Sequence, residues 1–172
     1  MFSQLKLAKK LIALFAVVIA VFCTIQAPAF AEVDIDMPCN GRAYGTELQA
    51  SDSQGAVWTN TCGKTMEFVV DYAYGEWNYG DSSPYDILVG PEGNPTGPVK
   101  GNFSNPTCRG AELSYLIDGE PVPGGCYFID RSVFLEPGET ITLINNDAKG
   151  SAYSDNSGSM VIDSLRNFPA NW

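Results

Sequence analysis

The fold is decided by residues 136–163, which run Glu136-Pro-Gly-Glu-Thr-Ile-Thr-Leu-Ile-Asn-Asn-Asp-Ala-Lys-Gly-Ser-Ala-Tyr-Ser-Asp-Asn-Ser-Gly-Ser-Met-Val-Ile-Asp163. The residues from Thr140 to Ile144 are β-branched or apolar at strand spacing, and Met160 and Ile162 alternate with smaller or polar residues. A period of two is typical of half-buried strands. The stretch therefore predicts a strand, a polar loop and a second strand.

The loop between these strands offers oxygen ligands for a hard cation. Asp147, Ser151, Asp155 and Asn156 bring side-chain and main-chain oxygens together on a short loop, and calcium prefers such ligands. Calcium takes about six to eight oxygens, so another segment has to complete the shell. The alternative is an ordinary turn, because Asx, Ser and Gly residues form turns readily and the spacing is not that of an EF-hand.

The remaining chain predicts short strands separated by Gly/Pro-rich turns, with no helical stripe. The other predicted strands are Ala56 to Asn60, Met66 to Tyr72, Tyr85 to Val89, Glu112 to Ile117 and Tyr127 to Leu135. Seven or eight short strands at this spacing predict an all-β protein, a single antiparallel β-sandwich.

The N-terminal residues predict a secretory signal peptide. Lys6, Lys9 and Lys10 precede an apolar run from Leu11 to Cys23, and Ala29-Phe30-Ala31 is a small-x-small cleavage pattern. An uncleaved anchor is the alternative, although the run is short for a transmembrane span. We therefore divide the chain into a signal peptide (1–31), an N-terminal lead (32–44), the sandwich domain (45–165) and a C-terminal tail (166–172).

Charge excludes one class of partner. Three of the ten basic residues and none of the twenty acidic ones lie in the predicted signal peptide, so residues 32–172 carry a net charge of −13. An acidic surface without a basic patch repels phosphate, which excludes nucleic-acid binding. It attracts cations, although many of these carboxylates serve only solubility. We expect no membrane association once the signal peptide is cleaved.

The cysteines predict disulfides and an extracytoplasmic protein, either periplasmic or secreted. Cys39, Cys62, Cys108 and Cys126 remain after cleavage, and their wide spacing in a chain without histidine favours two disulfides over a zinc site. Three pairings are open. We favour Cys39 with Cys62 and Cys108 with Cys126, since each closes a modest loop and contributes about 3 kcal/mol on the loop-entropy model.

The absence of histidine also bears on catalysis. It excludes Ser-His-Asp and Cys-His mechanisms and removes the commonest general base. No pair among the twenty carboxylates has a spacing that singles it out as a glycosidase acid and nucleophile. We expect a binding protein and not an enzyme.

An aromatic segment follows the strand that begins at Met66. Residues 72–84 place Tyr72, Tyr74, Trp77 and Tyr79 within eight residues. Aromatic rings at a loop tip stack on sugars or partners, and they can equally fold back to cap an open end of the sandwich. We expect at least one ring to be presented to solvent.

Residues 110–161 resemble the calcium-dependent galactose-binding lectins of the PA-IL family. The specific part is Thr140-Ile-Thr-Leu-Ile-Asn-Asn-Asp147 followed by Gly150-Ser151 and Asn156-Ser-Gly-Ser, preceded by Gly110-Ala-Glu-Leu and Ile117-Asp-Gly-Glu-Pro-Val-Pro. A weaker match covers Leu48-Gln-Ala-Ser, Thr65 to Val70 and Trp77-Asn-Tyr-Gly80. The resemblance implies a galactose-binding, jelly-roll-like sandwich in which one calcium coordinates two sugar hydroxyls.

The resemblance also implies a ligand set. Asp147, Asp155 and Asn156 fall on side-chain calcium ligands, with Asp155 in place of a family asparagine. Ser151 and Tyr79 fall on residues that give main-chain oxygens; a one-residue insertion lets the first of these slip to Ala152. The residues expected to contact the sugar are Trp77, Asn102, Asn105, Asp147, Ala148, Ser151 and Asp155.

The departures from the family keep three hypotheses open. The family's histidine and glutamine sugar contacts are replaced here by residues 101–108, Gly-Asn-Phe-Ser-Asn-Pro-Thr-Cys. We expect a calcium-dependent carbohydrate-binding protein, with a galactose-like sugar and homo-oligomers for multivalency. The alternatives are a calcium-stabilised sandwich without a sugar site, and a metal-free interaction or structural domain held mainly by its disulfides.

Overall fold

The structure is a computed structural model, and it describes residues 32–83 and 85–170. The predicted signal peptide, residues 1–31, lies outside the described residues. The described residues form ten β-strands and one short 3-10 helix, with no α-helix among them. The predicted all-β class is therefore confirmed.

The strands form two five-stranded sheets. Their bounds are β1 Val33–Asp34, β2 Arg42–Ala43, β3 Thr46–Gln49, β4 Ala56–Thr59, β5 Met66–Trp77, β6 Leu113–Ile117, β7 Glu120–Cys126, β8 Arg131–Leu135, β9 Thr140–Asn145 and β10 Gly158–Pro169, with the 3-10 helix at Ser151–Asp155. The first sheet has the order β1-β4-β9-β6-β7. In the second sheet, β2 and β3 both pair with one edge of β10, and β5 and β8 follow on its other side. All pairs are antiparallel except β1 with β4.

The core lies between the sheets and follows the predicted alternation. Ile141 and Leu143 of β9 are fully buried, as are Met160, Ile162 and Leu165 of β10. Ile162 and Leu165 are an odd number of positions apart, and a register shift in the β10–β5 ladder between Ile162 and Leu165 brings both to the core side. A bulge of this kind adds one residue and changes which face the following side chains occupy.

Two segments have a different structure from the one predicted. Residues 85–89 were predicted as a strand, but only Val89 bridges to Trp77, with hydrogen bonds of 3.0 and 2.9 Å. The strand β7, in contrast, falls in a stretch that predicted only a turn because of Pro121 and Pro123. Because β7 is the outer strand of its sheet, a proline there removes no ladder hydrogen bond that the sheet needs.

The ends of the domain also differ from the prediction. The lead 32–44 contributes β1 and β2 and buries Ile35 and Met37 in the core. The predicted tail 166–172 begins inside β10, which continues to Pro169 against Met66 of β5. Both segments were predicted to lie outside the sandwich domain, as a lead and a tail. They are ordered by neighbours that are distant in sequence.

Both favoured disulfides are present. Cys39 pairs with Cys62 and Cys108 pairs with Cys126. Two disulfides are typical of proteins that fold in an oxidising, extracytoplasmic compartment. Within the described ranges, no helix is long and apolar enough to cross a membrane.

Candidate metal centre

The predicted loop lies where three strands end together at one end of the sandwich. Asn145 is the last residue of β9, Asn156 precedes β10 by two residues, and Gly158 at the start of β10 pairs with Trp77 at the end of β5. The loop after β3 joins them through Ala50, whose N–H donates to the Gly158 carbonyl at 3.0 Å. This arrangement collects main-chain and side-chain oxygens from four segments.

Asp147 is the acidic centre of this group. Its side chain is 4% exposed. Oδ1 accepts a 2.7 Å hydrogen bond from the Ala148 N–H, and the carbonyl oxygen of Asp147 accepts one of 2.7 Å from the Ser104 N–H. Its Oδ2 is buried and has no partner at hydrogen-bonding distance in the described part of the chain, although the Asn156 amide lies close enough to favour the carboxylate. A carboxylate oxygen in this state lacks the partner that a buried charge requires.

Burial raises the pKa of the Asp147 carboxyl above its ordinary value. The Ala148 N–H and the Asn156 amide oppose this shift, the negative charge of Asp155 adds to it, and the charge of Lys100 opposes it. The protein alone therefore stabilises the ionised form of Asp147 less well than water does. A cation beside Oδ2 would reverse that balance, because a nearby positive charge favours the carboxylate.

Two asparagines present further buried oxygens. The Asn156 amide donates to the Ala50 carbonyl at 3.1 Å, and the Asn145 amide donates to the carbonyls of Ala50 at 3.3 Å and Asn78 at 2.8 Å. These bonds determine which end of each amide carries the oxygen. The Oδ1 atoms of Asn145 and Asn156 are buried and, over residues 32–83 and 85–170, have no partner.

The 3-10 helix contains Ser151 and Asp155, and the hydrogen bonds of Tyr153 attach it to the neighbouring segments. The Tyr153 hydroxyl donates to the Asn145 carbonyl at 2.6 Å and lies 3.0 Å from the Ser104 hydroxyl. Burial is the main cause that raises the pKa of Tyr153 to about 12, so this hydroxyl stays neutral. Asp155 is exposed at the end of the helix and lies within electrostatic reach of Asp147. Ser151 begins the helix.

Tyr79 also belongs to this group. Its ring is buried against Tyr85 and Phe103, with centroid distances of 5.2 and 6.1 Å. A Cβ on Gly110 would lie 2.3 Å from the ring, so only glycine leaves room for it. Burial raises the pKa of Tyr79, and the charges of Tyr85 and Asp147 raise it further. Tyr79 and Asp147 therefore act on each other electrostatically, and the ligand role of the Tyr79 carbonyl stays a prediction.

Trp77 is not available to a sugar. Its side chain is 0% exposed and its indole N–H donates to the Ala111 carbonyl at 2.7 Å. The aromatic segment was predicted to present at least one ring. It presents Tyr72 and Tyr74 on the outer face of β5, whereas Trp77 and Tyr79 are buried. The expectation that Trp77 contacts the ligand is therefore wrong.

Asn105 is likewise occupied by the fold. Its amide donates to the Val122 carbonyl at 3.0 Å, and its Oδ1 accepts from the Thr107 N–H and hydroxyl at 3.2 and 2.7 Å. Its main chain exchanges two hydrogen bonds with the side chain of Asn146, at 2.8 and 3.1 Å. The expectation that Asn105 binds sugar is wrong for the same reason. Every one of these polar groups already has a partner.

Two more of the predicted sugar contacts, Asn102 and Ala148, lie on the segments that pair beside Asp147. Asn102 is exposed, and its carbonyl accepts a 3.3 Å bond from the Lys149 N–H. Ala148 is half-buried and bridges to Phe103. The segment after Lys100 therefore pairs directly with the loop that carries Asp147.

Sequence reasoning missed Asn145, Ala50, Asn78 and Tyr153. One signal was present, because Asn145 continues the inward alternation of Ile141 and Leu143 and an asparagine there has to find partners between the sheets. The other three contribute mainly through hydrogen bonds with residues at least 8 positions away, such as Tyr153 with Asn145 and Asn145 with Ala50. No local pattern reveals such bonds.

A second group of potential metal ligands is already used for another purpose. Cys108, Glu112 and Cys126 have ligand atoms within 4.8 Å of one another, and no other such group of His, Cys, Asp or Glu occurs in the described ranges. The two sulfurs form a disulfide, and Glu112 accepts a 2.6 Å bond from the Arg109 N–H. Oxidised sulfurs do not act as thiolate ligands.

Comparisons of the chain with models of known protein families and with curated proteins found no match. The class of the molecule is therefore defined by its fold and its site. It is a disulfide-bonded β-sandwich with a buried carboxylate and two buried amide oxygens unpaired at one end.

Proposed function

We propose that this chain is an exported, calcium-dependent carbohydrate-binding protein. The observation that carries the proposal is a pair of buried oxygens without partners, Oδ2 of Asp147 and Oδ1 of Asn156. Both residues were predicted as calcium ligands from the sequence. Unpaired buried oxygens are costly unless an ion or water satisfies them. A hard cation that takes only oxygen ligands fits this donor set.

Asp147 and Asn156 would hold the ion through side-chain oxygens, with Asp155 adding charge from the exposed side. Tyr79 and Ser151 would contribute main-chain oxygens. When bound, calcium supplies open coordination positions that two neighbouring sugar hydroxyls can fill in place of water. The chain's own residues position these oxygens and neutralise the ion, and no bond of the sugar is broken. The protein is accordingly proposed as a lectin and not as an enzyme.

A calcium-stabilised sandwich without a sugar site is the second candidate, and one observation favours it. Trp77 and Asn105, expected as sugar contacts, are both engaged within the fold. In that case the ion would serve only to join the ends of β5, β9 and β10. The net charge of −13 over residues 32–172 supports cation binding under either candidate.

A metal-free state has its own support in Lys100. Its ammonium lies 4.6 Å from the ring centroid of Tyr85 and 5.7 Å from that of Phe103, and its charge lowers the pKa of Asp147. Among the described residues, however, Arg166 and Asp71 form a salt bridge, whereas Lys100 and Asp147 are not within the 4.0 Å of a salt bridge. Lys100 is therefore a distant counter-charge and leaves Oδ2 without a direct partner.

The test measures the ion and the sugar separately. Calorimetric titration of the metal-free, oxidised protein with calcium should give one saturable site, and a glycan array should give signals that a chelator removes. Asp147→Asn should abolish both, whereas Asp163→Asn, which removes an exposed carboxylate from β10, should change neither. Calcium binding without any glycan signal would select the second candidate. Glycan binding that survives chelation would refute the proposal.

A further inference from the structure

A cleft of about 310 Å³ opens beside the candidate metal centre. Its lining includes Ser104 and Tyr153, whose hydroxyls lie 3.0 Å apart. The Ser104 N–H also bonds the Asp147 carbonyl at 2.7 Å, and the Tyr153 hydroxyl bonds the Asn145 carbonyl at 2.6 Å. The wall of the cleft thus shares Ser104 and Tyr153 with the frame of the candidate metal centre. The volume is at the lower end of the roughly 300–1,000 Å³ of small-molecule sites.

The cleft is lined by groups that suit a saccharide. Ser53 and Ser104 offer hydroxyls, Gln54 offers a side-chain amide, and Gly150 leaves the main chain accessible next to Lys149. Hydroxyls and amides can donate to or accept from sugar hydroxyls. Leu116 supplies an apolar wall.

One basic residue and no acidic residue line this cleft. The basic residue is Lys149, in a protein whose residues 32–172 carry a net charge of −13, and the carboxylates that act on the cleft wall are Asp147 and Asp52, through Tyr153. The cleft of about 510 Å³ beside Trp58 is lined, in contrast, by Glu32, Asp34 and Asp36. A local positive site in an acidic protein selects ligands by charge.

A second lysine lies close to the same loop. Lys100 acts on Asp147 electrostatically, and its segment is joined to that of Lys149 by the bond from the Lys149 N–H to the Asn102 carbonyl at 3.3 Å. Two of the seven basic side chains in residues 32–172 therefore belong to the paired segments around Asp147. Neither belongs to the oxygen set proposed for the ion.

We propose that this cleft is a subsite for the anionic group of an acidic saccharide, with Lys149 as the counter-charge. The group is a uronate carboxylate or a sulfate ester. The inference rests on the proposed function, because the sugar held at the ion would place its neighbouring unit against Ser104 and Lys149. The preferred ligand is then an acidic oligosaccharide and not neutral galactose.

The experiment compares matched probes at constant free calcium, since uronates also bind calcium in solution. Trigalacturonate and its methyl ester share one ring geometry and differ in charge, and a sulfated galactose trisaccharide tests the other anion. At low ionic strength the acid should bind about three- to fivefold more tightly than its ester, the size of one partly exposed ion pair. The advantage should shrink with salt.

Lys149→Gln should remove the preference for the acid, so that the variant binds the acid and its ester equally. Lys64→Gln, a change of an exposed lysine on another loop, is the matched control and should keep the preference. Equal binding of acid, sulfate and ester would overturn this inference and leave the proposed function standing, as would a preference that persists in Lys149→Gln. If none of the probes binds with calcium present, both fail.

Discussion

The side-chain amide of Asn145 donates a 2.8 Å hydrogen bond to the main-chain carbonyl of Asn78. This bond joins the last residue of β9 in one sheet to the residue that follows β5 in the other. Asn145 also accepts the Tyr153 hydroxyl at its own carbonyl. One buried asparagine therefore determines how the loops around Asp147 are placed relative to one another.

Asn145→Ala should reduce the free energy of unfolding by about 1–3 kcal/mol, because the Asn78 carbonyl then loses its buried donor. It should also weaken calcium binding, since Asp147 would no longer be held against the loop after β5. Urea unfolding and calcium titration measure the two effects. Asn102→Ala, at an exposed position, should shift stability by no more than about 0.5 kcal/mol. Equal effects of the two variants would argue against the role given to Asn145.

Asp147→Asn should remove the rise in melting temperature that calcium causes in the unmodified protein. A ligand that binds only the folded state stabilises it by an amount set by its concentration and affinity, about 2.7 kcal/mol at a hundredfold excess over Kd. Without its carboxylate, the site loses its main charge. Differential scanning fluorimetry with and without calcium measures the shift. A variant that keeps the full shift would show that the ion binds elsewhere.

The pH dependence of metal-free protein follows from the raised pKa of Asp147. A carboxyl whose folded pKa lies above its unfolded value contributes stability below the unfolded pKa and loses it as pH rises through the folded pKa. Relative to Asp147→Asn, metal-free protein should therefore become less stable as pH rises from about 4, the unperturbed value. Denaturant unfolding of both forms at several pH values isolates this group from the other carboxylates. Saturating calcium should reverse the trend.

The two disulfides should affect the metal centre differently. Cys108–Cys126 anchors the segment whose Ser104 and Asn105 bond to Asp147 and Asn146, whereas Cys39–Cys62 ties the N-terminal segment to the loop before β5. Replacing either pair by serine should cost about 3 kcal/mol by the loop-entropy model. Only the loss of Cys108–Cys126 should also weaken calcium binding at temperatures where both variants remain folded. A similar loss of affinity in both would indicate a global effect.

Much of the sandwich was predictable because its strands alternate. The positions of β4, β6 and β9 agree with the predicted strands to within one residue at each end, and both disulfide pairs were favoured in advance. Residues 120–126 were not recognised, since Pro121 and Pro123 are compatible with a strand only at a sheet edge. Whether a strand lies at an edge is decided by its neighbours and not by its own residues.

The aromatic segment shows the same limit at the candidate site. Its composition indicated rings near a ligand, but Trp77 and Tyr79 are buried while Tyr72 and Tyr74 are exposed. β5 continues through Trp77, and its ladder with β10 is shifted in register between Val70 and Tyr72. A shift of one residue exchanges the inward and outward faces. The orientation of each ring thus depends on a pairing with β10 that lies far along the chain.

The sequence by itself determined the all-β class, the absence of histidine chemistry and the acidic charge, and it predicted the Asp147 to Asn156 loop as a source of oxygen ligands. These properties depend on residue type and short-range spacing. Only the tertiary structure decided which oxygens remain unpaired, that Asn145 joins the two sheets, and that Lys149 lines a cleft beside Asp147. Each of these depends on contacts between segments distant in sequence, such as Asn78 and Asn145, which are 67 positions apart. Burial and pairing arise only when such segments pack together.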